Sequence, residues 1–315
     1  MKNIGKQLLL CSITLLWLGT ATAAPAPAAS APLELVVLGS GGPGATGRAA
    51  SSYLVLVDGV ARILVDAGPG AFVRLGESGL SLGQTDIVLL THLHADHVGD
   101  LPGLLKARAV SGEGARRLRV FGPDGHTADA QHAYFPSTSA LLRLLFGPAG
   151  AYAYLQDFAA PLQLEAHDVP AALGPRSVLR QVYKQDGLLI TAIAGHHRDA
   201  PALLYRIDYA GKSISFSGDI DAQGWPDLRR IAKGTDLLVF NTVVRDPPGS
   251  PAVLYTLHTP PRAIGQLVHE VGAGRVLLSH LSPAVEHARD EVQAAIAETY
   301  QGPLDWAEDG MHVLP

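Results

Sequence analysis

Cysteine is almost missing from this 315-residue chain, and the single one is Cys11. It lies inside the apolar stretch Leu8 to Gly19, which follows Lys2 and Lys6, and the small residues that a lipid-attachment site needs do not precede it. Ala21-Thr22-Ala23 supplies a small-x-small cleavage pattern, so residues 1–23 read as an export signal whose removal takes the thiol with it. A mature chain without cysteine forms no disulfide and offers no thiolate to a metal. The apolar run falls short of the roughly 20 residues that span a bilayer. The expectation is an exported protein, periplasmic or secreted, without a stable membrane anchor after cleavage.

Positive charge is also scarce. The chain has 24 Lys and Arg against 29 Asp and Glu, and losing Lys2 and Lys6 leaves 22 basic residues. Arg116-Arg117-Leu118-Arg119 is the one visible basic cluster, and it reads as the solvated start of a strand. Nucleic acid and other long anionic polymers are therefore not expected partners. The Gly39–Gly44 loop lacks both the G-x-G-x-x-G pattern and a Walker lysine, which argues against a phosphate cradle. With 47% hydrophobic and 17% charged residues, the composition excludes disorder and suits a well-filled core.

What is present begins with a linker, A-P-A-P-A-A-S-A over residues 24–31, ahead of a domain over 32–315. Leu33–Leu38 reads as a strand, and Ser52–Val57 with Ala61–Val65 as a hairpin around Asp58-Gly59. A helix is expected over Gly70–Gly76. Asp86–Leu90 reads as a buried strand, and Leu101 to Ala109 as a helix with Pro102 in its first turn. Residues 127–160 gather aromatics between Pro and Gly breaks: either a partly helical lid over the site or a helix pair packing them inward. Strands resume at Leu188–Ala194, Ala202–Asp208, Ser213–Ser217, Leu237–Phe240 and Arg275–Ser279, with helices near Pro226–Ile231 and Pro260–Val271. Ser282-Pro283 opens a last helix carrying Val285, Val292 and Ile296 on one face. Two β-rich halves, each finished by helices, suggest two sheets between helical layers.

The chemistry concentrates in Thr91-His92-Leu93-His94-Ala95-Asp96-His97, straight after Ile87-Val88-Leu89-Leu90. His92 and His94, two apart on a turn leaving a strand, can aim at one point, and Asp96 with His97 at a second. Further apolar strands end in the same residue types: Ala194-Gly195-His196-His197, Phe216-Ser217-Gly218-Asp219 and Leu278-Ser279-His280. Imidazole and carboxylate are the donors left to a cysteine-free chain, and they suit zinc, manganese or iron.

The His92-x-His94-x-Asp96-His97 pattern resembles the signature of the metallo-β-lactamase superfamily, and the resemblance extends over nearly all of 33–315. It implies an α/β fold, a four-layer αβ/βα sandwich, with metals at the edge between two sheets. Ser217-Gly218-Asp219 is similar to the motif whose aspartate bridges two metals. Leu278-Ser279-His280-Leu281-Ser282-Pro283 resembles the closing motif of the ribonuclease Z and arylsulfatase-like branch, and His258 in Leu257-His258-Thr259 matches its upstream histidine. Carried over, one Zn2+ takes His92, His94 and His197, and a second takes Asp96, His97 and His280, with Asp219 shared. His196 remains the alternate to His197, which the spacing to Pro201 and Tyr205-Arg206 favours. Mn2+ or Fe2+ would also fit the donors, but iron members of the superfamily carry a glutamate where His94 stands.

The implied activity is metal-dependent hydrolysis of a phosphodiester or related small anionic ester by attack of a metal-bound hydroxide. Asp96 and His258 are the catalytic candidates, His258 for protonating the leaving oxygen. Arg48 and Asn241 are candidate substrate contacts, as is Arg206. Asn241 stands where ribonuclease Z has a glutamate paired with the upstream histidine. It can hold His258 by a hydrogen bond but supplies no charge, which with the export signal speaks against tRNA processing. An arylsulfatase or lactonase on the same metals, and a metal- or ligand-binding protein without catalysis, are the alternatives.

Overall fold

The computed structural model describes residues 31–315 apart from 45, 112–116, 129–132 and 159–161. Residues 1–23, expected to be a signal segment, with Cys11, residues 24–30 of the expected linker and Arg116 lie outside the described residues.

Two seven-stranded sheets carry the fold. The first contains β1 (Leu33–Gly39), β2 (Ser52–Val57), β3 (Val60–Val65), β4 (Ile87–Leu89), β5 (Arg117–Pro123) and β6 (Gln163–Val169), with β14 (His312–Val313) on the far side of β1. The second runs from β7 (Arg180–Gln185) through β8 (Leu188–His197), β9 (Ala200–Tyr209), β10 (Lys212–Phe216), β11 (Leu237–Asn241) and β12 (Arg275–Ser279) to β13 (Leu304–Trp306). Strands β3 to β6 pair in parallel, as do β10 to β13.

The strands read as unbroken apolar runs because both faces are covered. Leu35, Val37, Tyr53, Val55, Ile63 and Ile87 point inward and meet Ile190, Tyr205, Ile207, Ile214 and Leu237 of the other sheet. The intervening residues Val36, Leu54, Leu64 and Val88 pack outward against α1 (Ala71–Ser78), α3 (Leu101–Val110) and α4 (Thr138–Phe146). On the other side Ile193, Leu204, Leu238 and Leu278 meet α5 (Trp225–Ile231), α6 (Pro261–Val271) and α8 (Arg289–Ala297). Helix, sheet, sheet and helix make the four layers expected. Each fully buried Leu or Ile contributes about 1.5–3 kcal/mol. Among the described residues no helix is long and apolar enough to cross a membrane.

One segment differs from expectation. The last helix is two: α7 (Pro283–Glu286), capped by the Ser282 hydroxyl, ends at His287, and α8 restarts after Ala288. Within 127–160 the described part holds α4 and a 3-10 turn at Ala153–Gln156. Phe146 and Leu155 are buried beneath the first sheet's outer face while Tyr134 and Tyr154 stay exposed.

The C-terminal segment closes the structure. The Asp309 carboxylate accepts from Ser40 N at 3.0 Å, Ser40 Oγ at 2.7 Å, Ala49 N at 2.9 Å and Arg74 Nε at 3.0 Å. It thereby fixes the loop after β1, and Gly310 N bonds to Val37 O at 2.7 Å. That loop passes so close to the sheet edge that a Cβ on Gly42 would stand 3.3 Å from His280 Nδ1.

Candidate metal centre

Most of the chemically active arms leave the carboxyl end of a strand, whereas His258 follows the 3-10 turn Ala252–Thr256. Asp66 follows β3, His92 stands three residues after β4, Asp96 and His97 lie on the short α2 (Ala95–Val98), His197 ends β8, Asp219 follows β10, Asn241 ends β11 and His280 follows β12. Asp66 and His280 hold positive φ of 54° each, and Gly218 51°. For residues other than glycine such a backbone stores about 1–3 kcal/mol, which the surrounding structure must sustain.

Asp219 Oδ2 is the focus of the cluster. It lies 4.0 Å from His92 Nε2, 3.7 Å from His97 Nε2, 3.7 Å from His197 Nε2, 3.8 Å from His258 Nδ1 and 3.7 Å from His280 Nε2. These separations exceed a hydrogen bond. Two ligand bonds of roughly 2.0–2.2 Å meeting at an open angle span them. Among the described residues, donor atoms within 4.8 Å of one another form four sets: His92-His94-His197, His92-His97-Asp219, Asp96-His97-His280 and His197-Asp219-His258. The first and third are the two triads that the family resemblance implied, and Asp219 joins them.

Outer hydrogen bonds aim the rings. His97 Nδ1 is held by Asp66 Oδ2 at 2.7 Å, and His197 Nδ1 donates to Leu257 O at 2.9 Å, which turns both Nε2 atoms inward. His97 Nε2 and His280 Nε2 face each other at 3.0 Å, with Asp96 Oδ2 3.2 Å from the latter. His92 Nε2 and His258 Nδ1 are buried without any hydrogen-bond partner. Orphaned nitrogens beside carboxylates are what a donor set for divalent cations leaves.

Burial holds His92 and His197 below the ordinary imidazole range, likewise His94, and brings His258 down to about 4. These rings keep the lone pairs that metal binding needs. Burial also opposes charge on His97, but Asp66 and Asp219 overcome it and hold that imidazole well above its usual value. Burial works against the Asp96 carboxylate too, yet the His280 contact and His97 bring it down to about 2. Asp219 is likewise held well below its usual range, because His280, His258 and His97 outweigh its burial. Two buried carboxylates thus draw a proton onto His97, a demand for positive charge that a cation also meets.

Three expectations are corrected. Asn241 does not hold His258: its Nδ2 donates to Asp219 Oδ1 at 2.7 Å, orienting the shared carboxylate. Arg48 is committed to structure, its guanidinium bound to Ser40 Oγ at 2.7 Å, Ala307 O at 3.0 Å, Glu286 at 3.0 Å and Glu308 at 3.2 Å. Arg206 is spent in the same way on Asp208 and the carbonyl of Lys233. Of the adjacent pair, His197 joins the cluster, while His196 points away and its Nδ1 meets both Asp221 oxygens at 2.8 Å. Asp66 was not foreseen, although Ile63-Leu64-Val65-Asp66 has the form of the other arms: an apolar strand ending in a carboxylate.

Residues 61–281 match the family model described as a β-lactamase superfamily domain. A ribonuclease Z of Mycobacterium bovis is 29% identical over 289 residues, covering 88% of this chain and 96% of that protein. The short form of human tRNase Z superposes with a TM-score of 0.66 at 19% identity, over 89% of this chain and 98% of its own. The metallo-β-lactamase fold protein YhfI of Bacillus subtilis gives 0.62 at 18% identity, over 89% and 98%.

Proposed function

The chain belongs to the β-lactamase superfamily and is a metal-dependent hydrolase of the metallo-β-lactamase fold, and from that premise we propose that it uses two zinc ions to cleave a phosphodiester or related ester of a small substrate. The observation that carries the reading is the convergence of five ring nitrogens on Asp219 Oδ2 at 3.7–4.0 Å. His92, His94 and His197 would hold one ion, Asp96, His97 and His280 the other, and Asp219 both. Bound zinc supplies a Lewis acid and lowers the pKa of a water to about 7.

The chain's own residues do the rest. Asp66 and Leu257 O orient His97 and His197. Asn241 keeps one oxygen of Asp219 occupied, so the other faces the cluster. His94 and Asp96 are only half-buried and mark the side from which substrate enters. His258, whose buried ring is neutral without a ligand, would have to gain a proton as the negative charge of the diester arrives beside it before it could give one to the leaving oxygen. A small diester is favoured over tRNA by the net charge of −5 and by the neutral Asn241. Residues 1–23 further suggest that the enzyme works after export.

The test is a side-by-side assay of purified, zinc-loaded protein on aryl phosphodiesters, aryl sulfates, lactones and precursor tRNA, with elemental analysis. Two zinc ions per chain and turnover of the phosphodiesters are expected. Turnover confined to sulfates or lactones removes the proposed substrate, cleavage of precursor tRNA alone restores the endonuclease reading, and stoichiometric iron overturns the metal.

A further inference from the structure

Beside the centre lies a pocket of about 440 Å³, walled by the β8–β9 hairpin and the loops that follow β5 and β6. That volume falls among small-molecule sites. The hairpin separates pocket from metal cluster: His197 faces the cluster, and its neighbour His196 lines the pocket. At the rim Phe135 stands between the two, its ring centre 6.1 Å from that of His94 and 5.4 Å from that of His126. A substrate arm passing Phe135 would lead from an ester group on the cluster into the pocket.

We propose that this pocket is a substrate subsite for a neutral, hydroxyl-bearing group with an apolar face, such as a sugar ring or a glycerol unit. The inference rests on the hydrolase reading above and narrows its substrate. His196 is held from behind, its Nδ1 on Asp221 at 2.8 Å and its carbonyl accepting from Asp221 N at 2.9 Å. Among the described residues its Nε2 has no hydrogen-bond partner. A hydroxyl both donates and accepts, so it satisfies that nitrogen whichever way the ring is protonated, whereas an anion satisfies only one form. The charged lining, two carboxylates (Asp124 and Asp199) and one guanidinium (Arg198), carries a net negative charge and repels an anionic arm. Asp124 Oδ1 is engaged by Ala171 N at 2.8 Å, which leaves its other oxygen to accept from a hydroxyl. Ala171, Leu173 and Pro201 give the apolar wall on which a ring face packs.

Three 4-nitrophenyl phosphodiesters test this with the zinc-loaded protein, their second arms being ethyl, 2,3-dihydroxypropyl and 2-carboxyethyl. One or two added hydrogen bonds raise kcat/KM for the dihydroxypropyl ester about tenfold over ethyl, and the carboxyethyl ester falls below ethyl. In His196→Phe the ratio of dihydroxypropyl to ethyl collapses toward one, the ethyl ester reporting on the centre itself. Equal rates for all three arms overturn the subsite and leave the phosphodiesterase reading standing. If no ester is turned over, that reading fails and the subsite is decided by binding. Methyl β-glucoside then shifts the His196 ring signals of ¹⁵N-histidine-labelled, zinc-loaded protein and cyclohexanecarboxylate does not; no shift with the glucoside overturns it.

Discussion

Replacing Asp66 by Asn isolates what the carboxylate behind His97 does. Asp66 is 2% exposed. Its Oδ1 accepts from Thr91 N at 2.8 Å, and its Oδ2 from Thr91 Oγ1 at 2.8 Å and from His97 Nδ1 at 2.7 Å. Asn matches the shape and tolerates the positive φ, so the backbone is not strained further. The amide can be placed in two ways, and both fail. With its nitrogen at Oδ1, two donors face each other across a buried backbone N–H, which costs about 1–3 kcal/mol of stability. With its nitrogen at Oδ2, His97 Nδ1 must give up its proton, and the proton moves to Nε2, the atom 3.0 Å from His280 Nε2. That ring then offers no lone pair to a metal. Loss of such an orienting partner lowers metal affinity by about 10–100-fold, or roughly 1.4–2.7 kcal/mol. Competitive titration with a zinc chelator should show one of two sites weakened by this amount and the His92-His94-His197 site little changed. A variant that loses thermal stability yet binds both equivalents as tightly as the parent would refute the assignment.

Three further outcomes follow from the same geometry. Elemental analysis of His197→Ala should find one metal equivalent fewer, whereas His196→Ala should retain two. Stripping the metals should destabilise the fold by about 2.7 kcal/mol per site when the free ion had stood at 100 times its Kd; unchanged thermal denaturation with and without chelator would remove the metal assignment. Below pH 7 the metal-free protein should lose stability in urea titrations. His258 has a folded pKa of about 4 against 6.5 for the free ring. Its contribution is therefore full above pH 6.5, declines as pH falls toward 4, and amounts to about 3 kcal/mol. The lowered His92, His94 and His197 act in the same sense; the raised His97 gives stability already full below pH 6.5, so it does not offset this loss, and a flat profile from pH 7 to 4 would contradict the burial argument.

The strands and the candidate donors were legible because each arm is local: an apolar run of strand length followed closely by His or Asp. His92, Asp219 and His280 announce themselves in this way, and the spacing to Pro201 singled out His197 over His196. What stayed hidden depends on partners far along the chain. Arg48 looks like a free cation until Glu286, Ala307 and Glu308 arrive beside it. Asn241 was paired with His258 by analogy, whereas strand register sets it against Asp219. Periodicity also runs through the break at His287 and Ala288, since Val285 and Val292 both reach the same core, so one helix was read where there are two.

The grip of Asp309 on Ser40 and Ala49 has a temporal meaning. His97 and His280 are 183 positions apart, and the carboxylate that pins the loop beneath them arrives later still. During synthesis the early histidines exist without the residues that complete either the cage or its floor. In the proposed two-metal centre the donors of the second ion would thus be complete only once His280 has been made, and their floor only once Asp309 has joined Ser40.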